Sequence, residues 1–192
     1  MKMIDALVTT CIQREYVEQE KAAWLHYALE RRLTSLLAFI PLLVIGFFIT
    51  NPVTLIAFYI TFSSLRSRTN GIHARTIMGC IVCSAFMEVF FLKILPTLWN
   101  PILADIVLNI SIVIIWKLAP YNHPNMALSE VEMAACARSA KRRLVILLLV
   151  LFVLHLLQEK YFASGILLGI AMTASTLAMA YYPQRKVVGT EC

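Results

Sequence analysis

Apolar residues dominate the chain between residues 33 and 182, with only short polar or proline-containing interruptions. Long runs that are apolar on every side are typical of helices surrounded by lipid. At about 1.5 Å per residue, the shortest runs reach only about 20 Å across a hydrocarbon layer of about 30 Å, so full crossing stays open for 53–65 and 144–157. The pattern predicts six segments, at 33–50, 53–65, 77–98, 102–119, 144–157 and 161–182.

The first 32 residues follow a different pattern. Apolar positions such as Ile4, Leu7, Val8 and Cys11 recur every three or four residues among charged ones, which predicts an amphipathic helix on the membrane surface. The predicted fold is therefore all-α: a polytopic integral membrane protein with about six transmembrane helices plus this N-terminal helix. Its parts are the helix 1–32, a transmembrane domain 33–182 with cytoplasmic loops 66–76 and 117–143, and a short cytoplasmic tail 183–192.

Composition supports a membrane protein and excludes a water-soluble enzyme. Apolar residues make up 60% of the chain, charged residues 15%, and the mean hydropathy is +0.76. Of the 17 lysines and arginines, all but Lys93 and Lys160 fall in the N-terminal helix, the two loops and the tail. The positive-inside rule then places both termini in the cytoplasm. The net charge of +6 indicates contact with anionic membrane lipid, and no nucleic acid is predicted as a partner.

The five cysteines predict free thiols in a reducing compartment. Their number is odd, and Cys80 and Cys83 form a single CxxC without the second pair that a zinc site needs. No metal and no cofactor is predicted.

Candidate chemistry is concentrated in 66–80, a basic, turn-forming loop that runs into the third apolar segment. His73 and Cys80 are the minimum for thiol catalysis, with the imidazole taking the thiol proton. On one straight helix they would stand about 10.5 Å apart, so the chain must bend, and Gly71 and Gly79 supply that freedom. The helix N-terminus and the loop arginines would favour the thiolate. From spacing alone, a small core cysteine and a solvated loop histidine remain the favoured alternative.

The stretch containing Arg66, Gly71, His73 and Cys80 resembles the catalytic region of the AgrB family, the membrane cysteine endopeptidases of the accessory gene regulator quorum-sensing system. The similarity extends along nearly the whole chain, through the charged amphipathic N-terminus and a cytoplasmic loop that opens with Ala119-Pro120.

The resemblance implies a concrete activity in a bacterial cell membrane. Such enzymes cut an AgrD-like precursor peptide before its acidic C-terminal tail, and the released fragment becomes a cyclic autoinducer. Cys80 would be the nucleophile and His73 the base, and a thioester acyl-enzyme would be resolved into a thiolactone. Supporting or substrate-binding roles would fall to Arg66, Gly71, Arg68 and Arg75. Formation of a homo-oligomer stays open.

Two other classes of function remain as alternatives. A small transporter would use the ionisable residues inside the apolar segments, namely Glu88, Lys93 and Asp105. A non-enzymatic adaptor would bind the precursor without cutting it. For the three ionisable residues we favour structural roles, with Lys93 and Asp105 as an ion pair between antiparallel helices and Glu88 as a polar contact within the protein.

Overall fold

The computed structural model describes residues 2–14, 16–19, 22–70, 77–97, 100–122 and 128–188. Regular structure in these residues is helical, and they contain no strand, which confirms the all-α prediction. A π-helical turn, Phe90–Ile94, joins the fourth and fifth helices. The helices are α1 Lys2–Gln13, α2 Ala22–Ile49, α3 Pro52–Thr69, α4 Ile77–Val89, α5 Leu95–Thr97, α6 Pro101–Leu118, α7 Glu130–Leu156 and α8 Lys160–Val188.

Within these described residues, two stretches of helix are long and apolar enough to cross a membrane, Pro101–Leu118 and Lys160–Tyr181. The predicted count of six spans is therefore not confirmed. In α2 the continuous apolar stretch among the described residues is the shorter Phe39–Ile49. The last turn of α3 carries Arg66 and Arg68, and the π-helical turn divides the apolar run that begins in α4.

Two helices are longer than the sequence pattern predicted. The N-terminal region forms α1 and then α2, which continues to Ile49, so residue 32 lies inside a helix. Likewise, the charged part of the loop 117–143 and the fifth apolar segment are one helix, α7. Neither transition from charged to apolar residues contains a glycine or proline, so nothing in the backbone ends the helix there.

The helix pair α3 and α8 forms the centre of the molecule. Thr54 near the start of α3 donates its hydroxyl to the carbonyl of Tyr161 near the start of α8, at 3.0 Å, so the two helices run parallel. A methyl group on Gly165 would lie 2.4 Å from the Thr54 carbonyl oxygen, and one on Gly169 would lie 2.9 Å from the Phe58 carbonyl oxygen. These glycines let the two backbones approach closely, as small residues do between membrane helices.

Candidate functional site

Cys80, the predicted nucleophile, belongs by its backbone to the first turn of α4, which begins at Ile77. Its side chain lies outside the part of the chain that the structure describes, and so do His73, Gly71 and Arg75. The approach of His73 to Cys80 therefore stays a prediction, and the described residues define the two helix ends between which the predicted loop runs.

The first of these ends is the C-terminus of α3, where Arg66 closes the helix. The backbone N–H of Asn70 donates to the Arg66 carbonyl at 3.2 Å, and the Arg66 guanidinium donates in return to the Asn70 carbonyl. Arg66 is half-buried, whereas Arg68, one residue before Thr69, is exposed. Of these two predicted supporting residues, Arg66 thus has a structural contact at the start of the loop.

The same helix end is attached to the segment that follows α6. The Asn70 side-chain amide donates to the Tyr121 carbonyl at 3.1 Å, and the Tyr121 N–H donates to the Thr69 carbonyl at 2.9 Å. The Tyr181 hydroxyl of α8 donates to the Leu118 carbonyl at 2.9 Å, and its ring lies edge-on to that of Tyr121. The C-terminal ends of α3 and α6 therefore meet the C-terminal part of α8, around Tyr181, at one end of the helix bundle.

The basic part of α7 contacts this end as well. The Arg143 guanidinium donates to the Ser64 carbonyl and, at 2.9 Å, to the Ser67 hydroxyl on α3. The Lys141 ammonium lies 5.0 Å from the centre of the Trp116 ring of α6. Lys141 and Arg143 thus both contact neighbouring helices.

Glu88 is a buried carboxyl between three helices. Its side chain is 1% exposed, and Oε1 accepts a hydrogen bond of 2.8 Å from the Tyr59 hydroxyl of α3. Oε2 is buried and has no hydrogen-bond partner among the described residues. A methyl group on Gly46 of α2 would lie 2.6 Å from Oε1, so that glycine makes room for the carboxyl. Glu88 thus makes the polar contact within the protein that its sequence position suggested.

The predicted ion pair between Lys93 and Asp105 is wrong. Both side chains are exposed, and no ion pair joins them in the described part of the chain. Equal distance from a turn fixes the depth of two residues on antiparallel helices but says nothing about which way each faces. The thiols of Cys11, Cys83 and Cys136 are free, as predicted.

Sequence reasoning missed the residues that hold the helix ends, above all Tyr121 and the serines that Arg143 contacts. Their partners lie far away in the sequence, so no local pattern indicates them. Asn70 carries a local signal, because Asn-Gly marks a turn. Read together with Arg66, it could have indicated a closed helix end.

Among the described residues, two helices are long and apolar enough to cross a membrane, as expected of a membrane protein. The family model of accessory gene regulator B, AgrB, matches residues 2–177, essentially the whole chain, and the chain belongs to this family. Membership supports a role in processing the AgrD-like precursor peptide of agr quorum sensing. No curated protein and no solved structure matches the chain significantly.

Proposed function

We propose that the chain is a membrane-embedded cysteine endopeptidase that removes the C-terminal tail of an AgrD-like precursor and forms a thiolactone. The observation that carries this proposal is the family match over residues 2–177, which includes the whole of the stretch 66–80. Within that stretch, Cys80 is the nucleophile, His73 the base, and Arg66, Gly71, Arg68 and Arg75 the supporting or substrate-binding residues.

The proposed reaction has two acyl transfers. His73 takes the proton of Cys80, the thiolate attacks the scissile carbonyl, and the imidazolium returns the proton to the leaving amine of the tail. The product is a thioester between Cys80 and the shortened precursor. A cysteine thiol of the precursor then gives its proton to His73 and attacks the thioester, which closes the thiolactone and releases the Cys80 thiolate, and the imidazolium returns the proton to Cys80. The second transfer conserves the thioester bond type and needs no co-reactant.

Two structural observations support this assignment. The backbone of Cys80 is in the first turn of a helix, where the free N–H groups favour an anion such as a thiolate. The end of α3 is held by Asn70 and Tyr121, so the loop that carries His73 starts from a fixed point. Fixed geometry matters because the effective concentration of a positioned group falls steeply with displacement.

The proposed setting is a multi-pass protein of the bacterial cell membrane with about six spans, both termini in the cytoplasm and the active site at the cytoplasmic boundary. Its proposed parts are those given by the sequence, with the surface region 1–32, the transmembrane domain 33–182 and the tail 183–192. A partly dry site at this boundary would favour the precursor thiol over water in the second transfer. Membrane lipid and the acidic tail of the precursor are the proposed partners.

Co-expression with the precursor, followed by mass spectrometry of the peptide, tests the proposal. Cys80→Ala and His73→Ala should each abolish cleavage while the protein stays in the membrane, and Cys80→Ser should keep at most a trace. Cys83→Ala is the matched control, because this free, exposed thiol lies one helical turn further along α4. Full activity of Cys80→Ala would favour a transporter or an adaptor. Loss of cleavage in Cys83→Ala alone would move the nucleophile by one turn.

A further inference from the structure

The residues Tyr59 and Glu88 form a buried polar contact that the proposed chemistry does not use. α4 packs mainly against α2, whereas α3 packs mainly against α8 and α7 and touches α2 only slightly. The 2.8 Å hydrogen bond from Tyr59 to Glu88 bridges these two groups of helices. An ionisable side chain inside an apolar segment is costly and is kept where it has a role.

The contact between Tyr59 and Glu88 lies at the same distance from the two helix ends that flank the predicted loop. Tyr59 lies eleven residues before Asn70, where α3 ends, and Glu88 lies eleven residues after Ile77, where α4 begins. Equal spacing is the register of two antiparallel helices joined by a short connection. Both distances correspond to about 16 Å along a helix axis, so the contact sets the relative height of the two helix ends.

The two ends are held in different ways. The end of α3 is attached directly, through the hydrogen bonds of Asn70 and Thr69 with Tyr121. Further down α4, the polar attachment to α3 is Glu88, which fits between the helices because Gly46 has no side chain. A shift or rotation of α4 about this point moves the turn that contains Cys80.

We propose that Tyr59 and Glu88 are positioning residues that fix the height and rotation of α4, so that Cys80 faces the loop carrying His73. This inference rests on the proposed function, because it takes Cys80 and His73 as the catalytic dyad. Glu88 acts through the hydrogen bond it accepts, so an amide in its place keeps the geometry. The apolar surroundings and the unpartnered Oε2 make the hydrogen bond with Tyr59 the polar interaction that orients the side chain.

Disulfide cross-linking measures the geometry without catalysis. All cysteines except Cys80 are replaced by alanine, His73→Cys is added, and the rate of disulfide formation under a mild oxidant is followed in membranes. We expect the rate to fall severalfold with Tyr59→Phe and to stay unchanged with Glu88→Gln. Thr54→Val is the matched control, since it removes a hydrogen bond between α3 and α8 that does not reach α4.

Kinetics of the purified enzyme separate positioning from simple stabilisation. Tyr59→Phe should lower kcat about tenfold with little change in KM, as expected from a misplaced catalytic group. The double variant Tyr59→Phe, Glu88→Leu replaces both polar partners by apolar groups and should recover thermal stability, because no buried polar atom is left unpaired. Its kcat and cross-linking rate should stay low. Recovery of both in the double variant would show that the pair only stabilises the fold.

The outcomes also separate this inference from the proposed function. Equal cross-linking in all variants would overturn the positioning role, whatever the activity. If the cross-linking rate depends on Tyr59 but the wild-type protein cleaves no precursor, the positioning role would be supported and the proposed function overturned. No cross-link in the parent protein would overturn both.

Discussion

Asn70 adopts a backbone conformation that is ordinarily reserved for glycine, with φ 56° and ψ −154°. Its side chain offsets the cost of this conformation by donating to the Tyr121 carbonyl. Asn70→Gly would relieve the backbone and lose the side-chain bond, whereas Asn70→Ala would keep the strain and lose the bond. We expect the alanine variant to be less stable than the glycine variant by about 1–3 kcal/mol. Unfolding in detergent measures the difference.

Asn109→Ala is the control for this comparison. Asn109 is exposed, and its amide donates to the Asp105 carbonyl in its own helix. Its replacement should change stability by less than about 0.5 kcal/mol. Equal stability of the two Asn70 variants would show that the backbone is not strained at this position.

Arg66 and Arg68 should differ in the way they affect cleavage. Arg66 is half-buried and its guanidinium donates to the Asn70 carbonyl, so Arg66→Ala should cost about 1–3 kcal/mol of stability and impair cleavage at every salt concentration. Exposed Arg68 is available to an acidic peptide tail, so Arg68→Ala should leave stability unchanged and weaken cleavage chiefly at low salt. Thermal unfolding and cleavage assays over a salt series test both. A salt-independent defect in Arg68→Ala would contradict recruitment of the tail.

His73 and Cys80 could be identified from sequence as a candidate pair because both belong to one short, turn-rich stretch. The partners of Tyr121 and Arg143 could not, since each depends on how helices far apart in the chain pack. The error over Lys93 and Asp105 has the same origin. The position of a residue along an apolar segment predicts its depth in a membrane, whereas helix packing decides which way its side chain faces.

At the scale of helices, sequence placed the starts of four apolar segments within one residue of the observed helices but missed the starts of α2 and α7. The continuous helices α2 and α7 show why: hydropathy changes at a membrane boundary, whereas a helix ends only where its backbone is capped or broken. Ser129 marks such an end, with Glu132 completing a capping box. That pattern, Ser-x-x-Glu, is visible in the sequence and would have placed the start of α7 correctly.

The capping box makes the start of α7 sensitive to pH. Hydrogen bonds from the backbone N–H and then the hydroxyl of Ser129 lower the pKa of Glu132. Because the folded pKa lies below the unfolded one, the stabilisation is present above the unfolded pKa and is lost as pH falls through the folded pKa. Ser129→Ala removes the hydroxyl but keeps the backbone N–H, so it should raise the pKa of Glu132 part of the way towards its ordinary value, which NMR titration of the full chain in detergent can measure. An unchanged pKa would contradict the capping box.

The glycines of α8 carry a second prediction at this scale. Gly165→Ala would place a methyl group 2.4 Å from a backbone oxygen of α3, which no side-chain adjustment can relieve. We expect a loss of about 1–3 kcal/mol, typical of overpacking, from unfolding in detergent. Ser164→Ala is the control, because the Ser164 hydroxyl donates to the Tyr161 carbonyl within its own helix. A stable Gly165→Ala protein would mean that α3 and α8 pack less closely than described.

In the whole molecule, the contacts of α3, α6, α7 and α8 bring the loop start at Arg66, the Tyr121 segment and the basic part of α7 to one end. Sequence had placed the same segments on the cytoplasmic side by charge alone. Packing and charge are independent observations, so their agreement supports one basic face. The charge pattern already predicts that α3 and α8 both end on the cytoplasmic side, but it could not predict that these two helices pack closely against each other, which depends on the glycine contacts between them.

Orientation can be measured with single cysteines placed on exposed lysines and arginines in a cysteine-free protein. Lys93→Cys and Lys160→Cys should react with a membrane-impermeant maleimide in intact cells, and Arg68→Cys only after lysis, because Lys93 and Lys160 are the two basic residues predicted on the outer side. Reaction of Arg68→Cys in intact cells would invert the orientation. Reaction at residue 160 without reaction at residue 93 would mean that the segment 77–98 does not cross, which would reduce the span count while leaving both termini in the cytoplasm.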